Sequence, residues 1–214
     1  NGLTIQLNEL GPTLTHEDEA GLTRLVSSRL PGASWLLLTG SLPPGISAAF
    51  YANLIAAARP LGVQVLLDTD HEALVEGIEQ GPTVTAPNQF EAERLLGTAL
   101  VTRQQFFDAA RRIHTMGAKS VILSLGSRGA VGLFGGSLFE VVPPRVDAVC
   151  PIGSGDALSA AFVWAMTQAG DPVDALRWGV AAGTASAMLP GITLASLEET
   201  RRVYTDVAVR PVAG

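Results

Sequence analysis

A short glycine-rich segment in the last third of the chain has the residue types needed to bind a phosphate. Residues 151–156 read Pro-Ile-Gly-Ser-Gly-Asp, and the apolar stretch that follows is typical of a helix. Small residues let backbone N–H groups approach a ligand closely, and at a helix N-terminus those groups stabilise an anion. Asp156 would lie in the same turn, where a carboxylate can deprotonate a hydroxyl that attacks phosphorus. The alternative, that Asp156 only caps the helix, is equally compatible with the spacing.

Polar or glycine-rich segments also follow four predicted strands. They are residues 40–45 (Gly-Ser-Leu-Pro-Pro-Gly), 68–70 (Asp-Thr-Asp), 86–91 (Ala-Pro-Asn-Gln-Phe-Glu) and 124–129 (Ser-Leu-Gly-Ser-Arg-Gly). Because ligands bind beyond the carboxyl ends of strands in open parallel sheets, we expect these segments to border one site. Arg128, in the last of them, is as compatible with a ligand contact as with a surface position.

Three common motifs are absent from the sequence. The one lysine, Lys119, has no glycine directly before it, so there is no P-loop. The dinucleotide pattern G-x-G-x-x-G is incomplete after Gly155, and the hydrolase pattern G-x-S-x-G does not occur around Ser127 or Ser154. A phosphate site here would therefore depend on the glycine-rich segment itself.

The elements that must position these segments alternate between strand and helix, which predicts an α/β fold with a mostly parallel sheet flanked by helices. Short apolar runs predict strands at residues 35–39, 63–68, 83–85 and 121–125. Runs at residues 130–134 and 138–142 flank a Gly-Gly pair and predict a β-hairpin. After residue 144 the chain reads as largely helical.

Capping residues predict where several helices begin. The predicted starts are Thr15, Thr102, Asp171 and Ser196. The tryptophans at positions 35, 164 and 178 lie in apolar segments, which favours positions in the core.

Composition limits the classes of partner. The chain has 214 residues and a formal net charge of −6, which disfavours nucleic-acid binding because phosphate backbones are held by basic patches. One cysteine and three scattered histidines make no metal cluster, and no apolar run is long enough for a membrane span. We therefore expect a cytoplasmic protein that binds neither nucleic acid nor membrane.

Taken together and in order, the loops resemble those of the PfkB branch of ribokinase-like sugar kinases, and in particular its phosphofructokinase and tagatose-6-phosphate kinase members. The matching segments are residues 7–12, 40–45, 87–91, 124–130, 153–156 and 179–183. The resemblance implies a ribokinase-like fold and transfer of the γ-phosphoryl group of ATP to a hydroxyl of a phosphosugar: fructose 1-phosphate, fructose 6-phosphate or tagatose 6-phosphate.

The resemblance also implies roles for individual residues. Asp156 would be the catalytic base, and the backbone N–H groups of Gly153, Ser154 and Gly155 would form the anion hole. Asn88 and Glu91 match an N-x-x-E motif that helps to hold Mg²⁺. The nucleotide would be bound by Ser124, Gly126, Ser127 and Gly129. A K⁺ ion is expected beside the anion hole, near Cys150 and Ile152.

The chain also departs from the family pattern. We expect that it lacks the family's amino-terminal segment, with its early strands and most of its sugar site and β lid. Residues 1–10 would then be the remnant of a lid strand and residues 11–214 a truncated nucleotide-binding and catalytic domain. A homodimer through the lid is expected where the lid is present. Ala86 replaces a common lysine, and Cys150-Pro151 replaces a polar pair.

Two other functions remain compatible with these residues. One is a nucleotide-binding regulatory or degenerate protein without turnover, which the missing segment and Ala86 favour. The other is a kinase of a non-phosphorylated sugar or a nucleoside, which the matches at residues 7–9 and 41–44 disfavour.

Overall fold

The computed structural model describes residues 11–168 and 170–212, and the expected lid strand of residues 1–10 lies outside them. Seven strands form one sheet in chain order: β1 (Trp35–Thr39), β2 (Gln64–Asp68), β3 (Val84–Thr85), β4 (Val121–Ser124), β5 (Ala130–Phe134), β6 (Ser137–Val142) and β7 (Ala208–Pro211). Strands β1 to β4 are parallel, and β4 to β7 pair antiparallel. The predicted α/β fold is confirmed.

In the part of the chain that the structure describes, eight α-helices cover the sheet. They are α1 (His16–Arg29), α2 (Ala49–Ala58), α3 (His71–Glu79), α4 (Gln89–Leu96), α5 (Arg103–Thr115), α6 (Ser154–Gln168), α7 (Pro172–Ala187) and α8 (Leu197–Tyr204). Within the described ranges, none of them has the length and hydropathy to cross a bilayer.

The central strands β2 to β5 are buried on both faces, and alternation along them divides the core in two. On β4, Val121 and Leu123 pack into the apolar cluster beneath α2, α3 and α5, whereas Ile122 packs into the cluster beneath α6 and α7. On β2, Leu67 and Leu66 divide in the same way. This is the pattern expected of continuous apolar runs in a parallel sheet, since successive side chains point to opposite faces.

Phe162 on α6 is the largest fully buried side chain in the second cluster. Its ring stacks on Phe134 with centroids 6.1 Å apart and meets the edge of Trp35 at 6.5 Å. These contacts fix α6 against the sheet, and α6 carries the glycine-rich segment at its start.

The helix starts that the sequence predicts are confirmed. Thr15, Thr102 and Ser196 each form a capping box with the third residue of the helix that follows. Asp171 caps α7 by accepting hydrogen bonds from the N–H groups of Val173 and Asp174. Capping depends on residues three positions apart, and for that reason the sequence alone identifies it.

Two expectations are wrong. Strand β7 was not expected in the helical final part of the chain, because its exposed residues, with Pro211 at the end, carry no alternating pattern. Trp164 is not in the core: it is 39% exposed and packs edge-on against Trp178 on the outer face of α6 and α7. Trp35 and Trp178 are half-buried.

Candidate nucleotide-binding and catalytic site

The carboxyl ends of the four parallel strands bring the predicted segments to one edge of the sheet. Strands β1 and β2 end in register at Thr39 and Asp68, and β3 and β4 end at Thr85 and Ser124. Beyond β3, Asn88 forms an isolated parallel bridge with Ser124, whose N–H donates to the Pro87 carbonyl at 3.0 Å. The N-x-x-E segment and the segment at residues 124–129 are therefore neighbours.

A cavity of about 650 Å³ opens between this edge and helices α6 and α7. Ser124, Gly126, Ser127 and Gly129, which the sequence assigns to the nucleotide, all line it. On the other side it is lined by the start of α6 and by a face of α7; the lining residues there include Ser154, Gly155, Leu158, Val180, Gly183 and Thr184. The two segments predicted to meet at a nucleotide thus share one cavity.

Two glycines of α7 let it approach the start of α6 closely. A Cβ at Gly183 would lie 2.8 Å from the Ser154 carbonyl oxygen, and one at Gly179 would lie 2.8 Å from that of Leu158. Real Cβ atoms do not approach backbone that closely, so larger residues would push the helices apart. The position of the glycine-rich segment consequently depends on α7.

The backbone at the start of α6, where the sequence predicts an anion hole, has one N–H group already bonded within the protein. Gly153 has φ +81°, a conformation that favours glycine. The Ser154 N–H donates to the Pro151 carbonyl at 3.2 Å. Gly155 and Asp156 lie in the first turn of α6, where N–H groups have no carbonyl partner within the helix. Their N–H groups are therefore available to a ligand outside the helix.

Space for a ligand exists at this turn. Gly155 is exposed, and a Cβ placed on it would meet nothing within 4 Å. The Ser154 hydroxyl is shielded from solvent and has no hydrogen-bond partner among the described residues. The turn thus presents free donors beside the cavity.

Asp156 lies in this first turn with its side chain exposed, close to a second carboxylate, Asp68. Burial raises the pKa of Asp68 to about 6; the Ser159 hydroxyl, which donates to it at 3.1 Å, opposes the rise, and the charge of Asp156 adds to it. Ser159 lies three residues after Asp156, on the same face of α6. The end of β2 and the start of α6 therefore place two acids together.

Asn88 and Glu91 form the N-terminal cap of α4. The Asn88 N–H donates to Glu91 Oε2 at 2.8 Å, and the Glu91 N–H donates to Asn88 Oδ1 at 3.0 Å. The motif expected to hold Mg²⁺ is thus also a capping box. Burial raises the pKa of Glu91 to about 7. The hydrogen bonds from Asn88 lower this pKa, and the charges of Asp68 and Asp70 raise it further. A pKa of about 7 means that the Glu91 carboxyl is partly protonated at neutral pH, and a nearby cation would favour its ionised form.

Asp68 and Asp70 lie at the same edge of the sheet as the predicted site residues, although sequence reasoning named their segment without assigning them a role. The available signal was their place directly after a strand. His71 Nδ1 lies 2.8 Å from Asp70 Oδ2, and His71 Nε2 lies 3.0 Å from Nη1 of Arg94 on α4. His71 has φ +52° and is the one residue other than glycine with positive φ in the described ranges. Such strain is found where surrounding contacts enforce it.

The acids at this edge suit a metal that shares its ligands with phosphate. Within residues 11–168 and 170–212, no three His, Cys, Asp or Glu side chains are grouped closely enough to hold a metal alone. Mg²⁺ is usually held by one or two carboxylates together with water and substrate phosphates. Asp68 and Glu91 supply carboxylate oxygens at this edge, and burial raises the pKa of both groups. The residues therefore fit a magnesium–nucleotide complex.

Arg128 lies at the end of a 3₁₀ turn, Gly126–Arg128, in which Gly126 and Ser127 line the cavity. Its guanidinium donates to Gln89 Oε1 and lies 4.8 Å above the Phe106 ring. The sequence was compatible with a ligand contact or a surface position for Arg128. Its side chain is exposed, contacts neighbouring residues and is not among the residues that line the cavity. It joins the turn to the start of α4.

The loop expected to bind K⁺ is held by the end of α7. The N–H groups of Val149 and Cys150 both donate to the Ala187 carbonyl, at 2.8 and 3.0 Å. Cys150 is half-buried, and Ile152 is 37% exposed. These bonds tie the loop before α6 to the C-terminal end of α7, and K⁺ binding there stays a prediction.

Comparison with known proteins agrees with this geometry. The pfkB family carbohydrate kinase profile matches residues 7–199. ATP-dependent 6-phosphofructokinase isozyme 2 of Escherichia coli (strain K12) is 33% identical over 171 residues, which cover 79% of this chain and 55% of that protein. The 1-phosphofructokinase of Borreliella burgdorferi is 27% identical over 213 residues, covering 99% of this chain and 68% of that protein.

A crystal structure of phosphofructokinase-2 from Escherichia coli in complex with potassium superposes with a TM-score of 0.84 at 32% identity. The match covers 90% of this chain and 63% of that one. The chain thus spans little more than half the length of the first of these relatives. The matched range, the ribokinase-like sheet and the shared cavity lead to one conclusion: this chain belongs to the pfkB family of carbohydrate kinases.

Proposed function

We propose that this chain carries the nucleotide half of an ATP-dependent kinase that transfers the γ-phosphoryl group to a hydroxyl of a phosphosugar. The observation that supports this most is the shared cavity, in which the turn at residues 124–129 faces the start of α6. The relatives whose names specify a phosphofructokinase favour a ketohexose monophosphate as acceptor.

Each group at the site has a place in that reaction. The N–H groups of Gly155 and Asp156 would stabilise charge on the transferred group, a contribution that needs fixed donors rather than covalent chemistry. Asp156 would accept the proton of the attacking hydroxyl, because its exposed carboxylate lies in the same turn. Glu91 and Asp68, with Asn88, would hold Mg²⁺, which neutralises phosphate charge when bound. K⁺ would bind near Cys150 and support the anion hole.

Calorimetric titration with Mg·ATP tests the nucleotide part. The variant Gly155→Asp places a carboxylate where the phosphate would approach, and the open space there means that the fold tolerates it. Gly21→Asp on α1 is the matched control, because it too has open space and no positive φ. We expect the control to bind as the parent chain does and Gly155→Asp to lose binding. Absence of ATP binding by the folded parent chain would contradict the proposal.

Turnover tests the catalytic part. ADP release is measured with fructose 1-phosphate, fructose 6-phosphate and tagatose 6-phosphate, in the longest form of the protein that can be produced. Asp156→Asn should lower turnover by about 10²–10⁴-fold and leave ATP affinity within about threefold, since a base acts only in the transition state. Near-normal turnover in this variant would refute the role of Asp156.

A second function, nucleotide binding without turnover, has one structural observation in its favour. The Ser154 N–H, one of the three donors expected in the anion hole, is used by the Pro151 carbonyl. ATP binding that Gly155→Asp abolishes, with no ADP release from any of the three phosphosugars, would favour this alternative.

A further inference from the structure

The N-x-x-E segment and the turn at residues 124–129 would meet the metal and the nucleotide. Among the described contacts, backbone joins them only at the start of the turn. The bridge between Asn88 and Ser124, with the Ser124 N–H bond to Pro87, fixes the start of the turn at residues 124–129. The far end, Gly129, lies against β6, where an added Cβ would be 2.0 Å from the Val141 carbonyl oxygen. Neither of these two contacts involves the middle of the turn, Gly126–Arg128.

Arg128 connects this middle part to α4. Its Nη2 donates to Gln89 Oε1, its Nε lies 3.4 Å from the Leu125 carbonyl oxygen, and its planar guanidinium lies over Phe106 of α5. A planar, multiply bonded guanidinium loses little freedom per contact, so it fixes the relative position of its partners well. Phe106 is buried and provides a firm base for the stack.

Gln89 is itself held firmly. Its Nε2 donates to Glu93 Oε1 at 2.8 Å and to the Leu100 carbonyl at 2.9 Å, and Glu93 Oε1 also accepts the Leu100 N–H at 2.8 Å. Gln89 lies between Asn88 and Glu91, the two residues assigned to the metal. A side chain that holds Gln89 therefore acts on the geometry of the metal pair.

The charge of Arg128 has a partner within this network. The pKa of Glu93 is lowered, chiefly by its hydrogen bond from Gln89, next by that from Leu100, and also by the charge of Arg128. The cation is thus balanced by a carboxylate outside the cavity. This placement suits a residue that joins the turn at residues 124–129 to α4 rather than one that binds phosphate directly.

We propose that Arg128 is a positioning residue that couples Mg²⁺ binding to nucleotide binding, by holding the turn at Gly126–Arg128 against the start of α4. The inference rests on the proposed function. It predicts that the advantage that Mg²⁺ gives to ATP binding depends on the pair Arg128 and Gln89, whereas binding of ATP without metal does not.

The test is calorimetric titration with ATP, in 5 mM Mg²⁺ (about the level used for such titrations) and again in excess EDTA. The variants are Arg128→Met and Gln89→Met, which keep an unbranched side chain and remove its hydrogen-bonding groups, and the double variant. Arg111→Met on the exposed face of α5 is the control, since Arg111 contacts only Asp108 among the described residues, at 3.5 Å. Thermal unfolding of every variant shows that each is folded.

We expect Mg²⁺ to tighten ATP binding of the parent chain by a factor within about 5–150, the usual range of coupling between two ligands. Arg128→Met and Gln89→Met should each reduce that factor about fivefold, with the dissociation constant in EDTA changed less than about twofold. The double variant should resemble the single ones, because residues that act as a pair are not additive. Arg111→Met should leave the factor unchanged.

Other outcomes separate this inference from the proposed function. A parent chain that binds no ATP would overturn both. A parent chain that binds ATP with an Mg²⁺ advantage that Arg128→Met leaves intact would overturn only the role of Arg128. Equal weakening in Mg²⁺ and EDTA would also overturn it, because it would mean that Arg128 contacts the nucleotide or supports the fold as a whole.

Discussion

Replacing Asp68 by asparagine should stabilise the protein at pH 8 and do little at pH 4.5. Burial raises the pKa of Asp68 from 3.8 to about 6, so the folded protein keeps a proton there that the unfolded chain has released. Stability from this raised pKa is fully present below the unfolded value of 3.8. It is lost as the pH rises through about 6.

The size of the effect follows from the shift. One pKa unit corresponds to about 1.4 kcal/mol, so a shift of about two units corresponds to roughly 3 kcal/mol of destabilisation once Asp68 is ionised. Part of it is the repulsion from Asp156, and asparagine removes both the charge and that repulsion. The amide oxygen can still accept the Ser159 hydrogen bond. We therefore expect a gain of about 1–3 kcal/mol at pH 8.

Urea unfolding followed by circular dichroism at pH 4.5, 6 and 8, at constant ionic strength, measures this difference. Asp206→Asn, at an exposed position just after α8, is the control for a general change in net charge. The gain from Asp68→Asn should grow with pH, whereas that of the control should stay small throughout. An equal gain at pH 4.5 and pH 8, or a loss at pH 8, would refute the reasoning.

Two further predictions concern the packing behind the site. Gly183→Ala should destabilise the protein by about 1–3 kcal/mol, because its Cβ would lie 2.8 Å from the Ser154 carbonyl oxygen; Gly21→Ala, where a Cβ has room, should instead gain up to about 1 kcal/mol, and urea unfolding compares the two. Phe162→Ala should cost about 3–5 kcal/mol, because it removes a fully buried ring between Phe134 and Trp35; a loss below about 1 kcal/mol in the same assay would contradict this account of the core.

Local signals explain why much of the fold is predictable from the sequence. Strands β1 to β4 are short apolar runs, and the caps at Thr15, Thr102 and Ser196 depend on neighbours three residues away. Strand β7 lacks such a signal, since it pairs only with β6 and its residues are mostly exposed. Trp164 was misplaced because an apolar segment does not show which side of a helix faces solvent.

The candidate site, like the fold, was predictable from the sequence only in part. The glycine-rich turn and the loop at residues 124–129 were identified by residue type, and the structure brings them to one cavity. The acid cluster was not, because the rise in the pKa of Asp68 comes from burial and from Asp156, which is 88 residues away in the chain. The capping role of Glu91 was visible in the Asn88–Glu91 spacing but was read only as a metal motif.

The order of strands in the sheet also bears on how the chain folds as it is synthesised. Because spatial order equals chain order, each strand that leaves the ribosome finds its neighbour already made, which suits folding from the amino-terminal end. The face that carries Leu66 and Ile122 is different, since it waits for α6 and α7. That apolar face stays uncovered until α6 and α7 have emerged, and an uncovered apolar face is prone to aggregation. The cavity is completed in the same step, because α6 and α7 form one of its walls, so any molecule that binds there would favour the last step of folding.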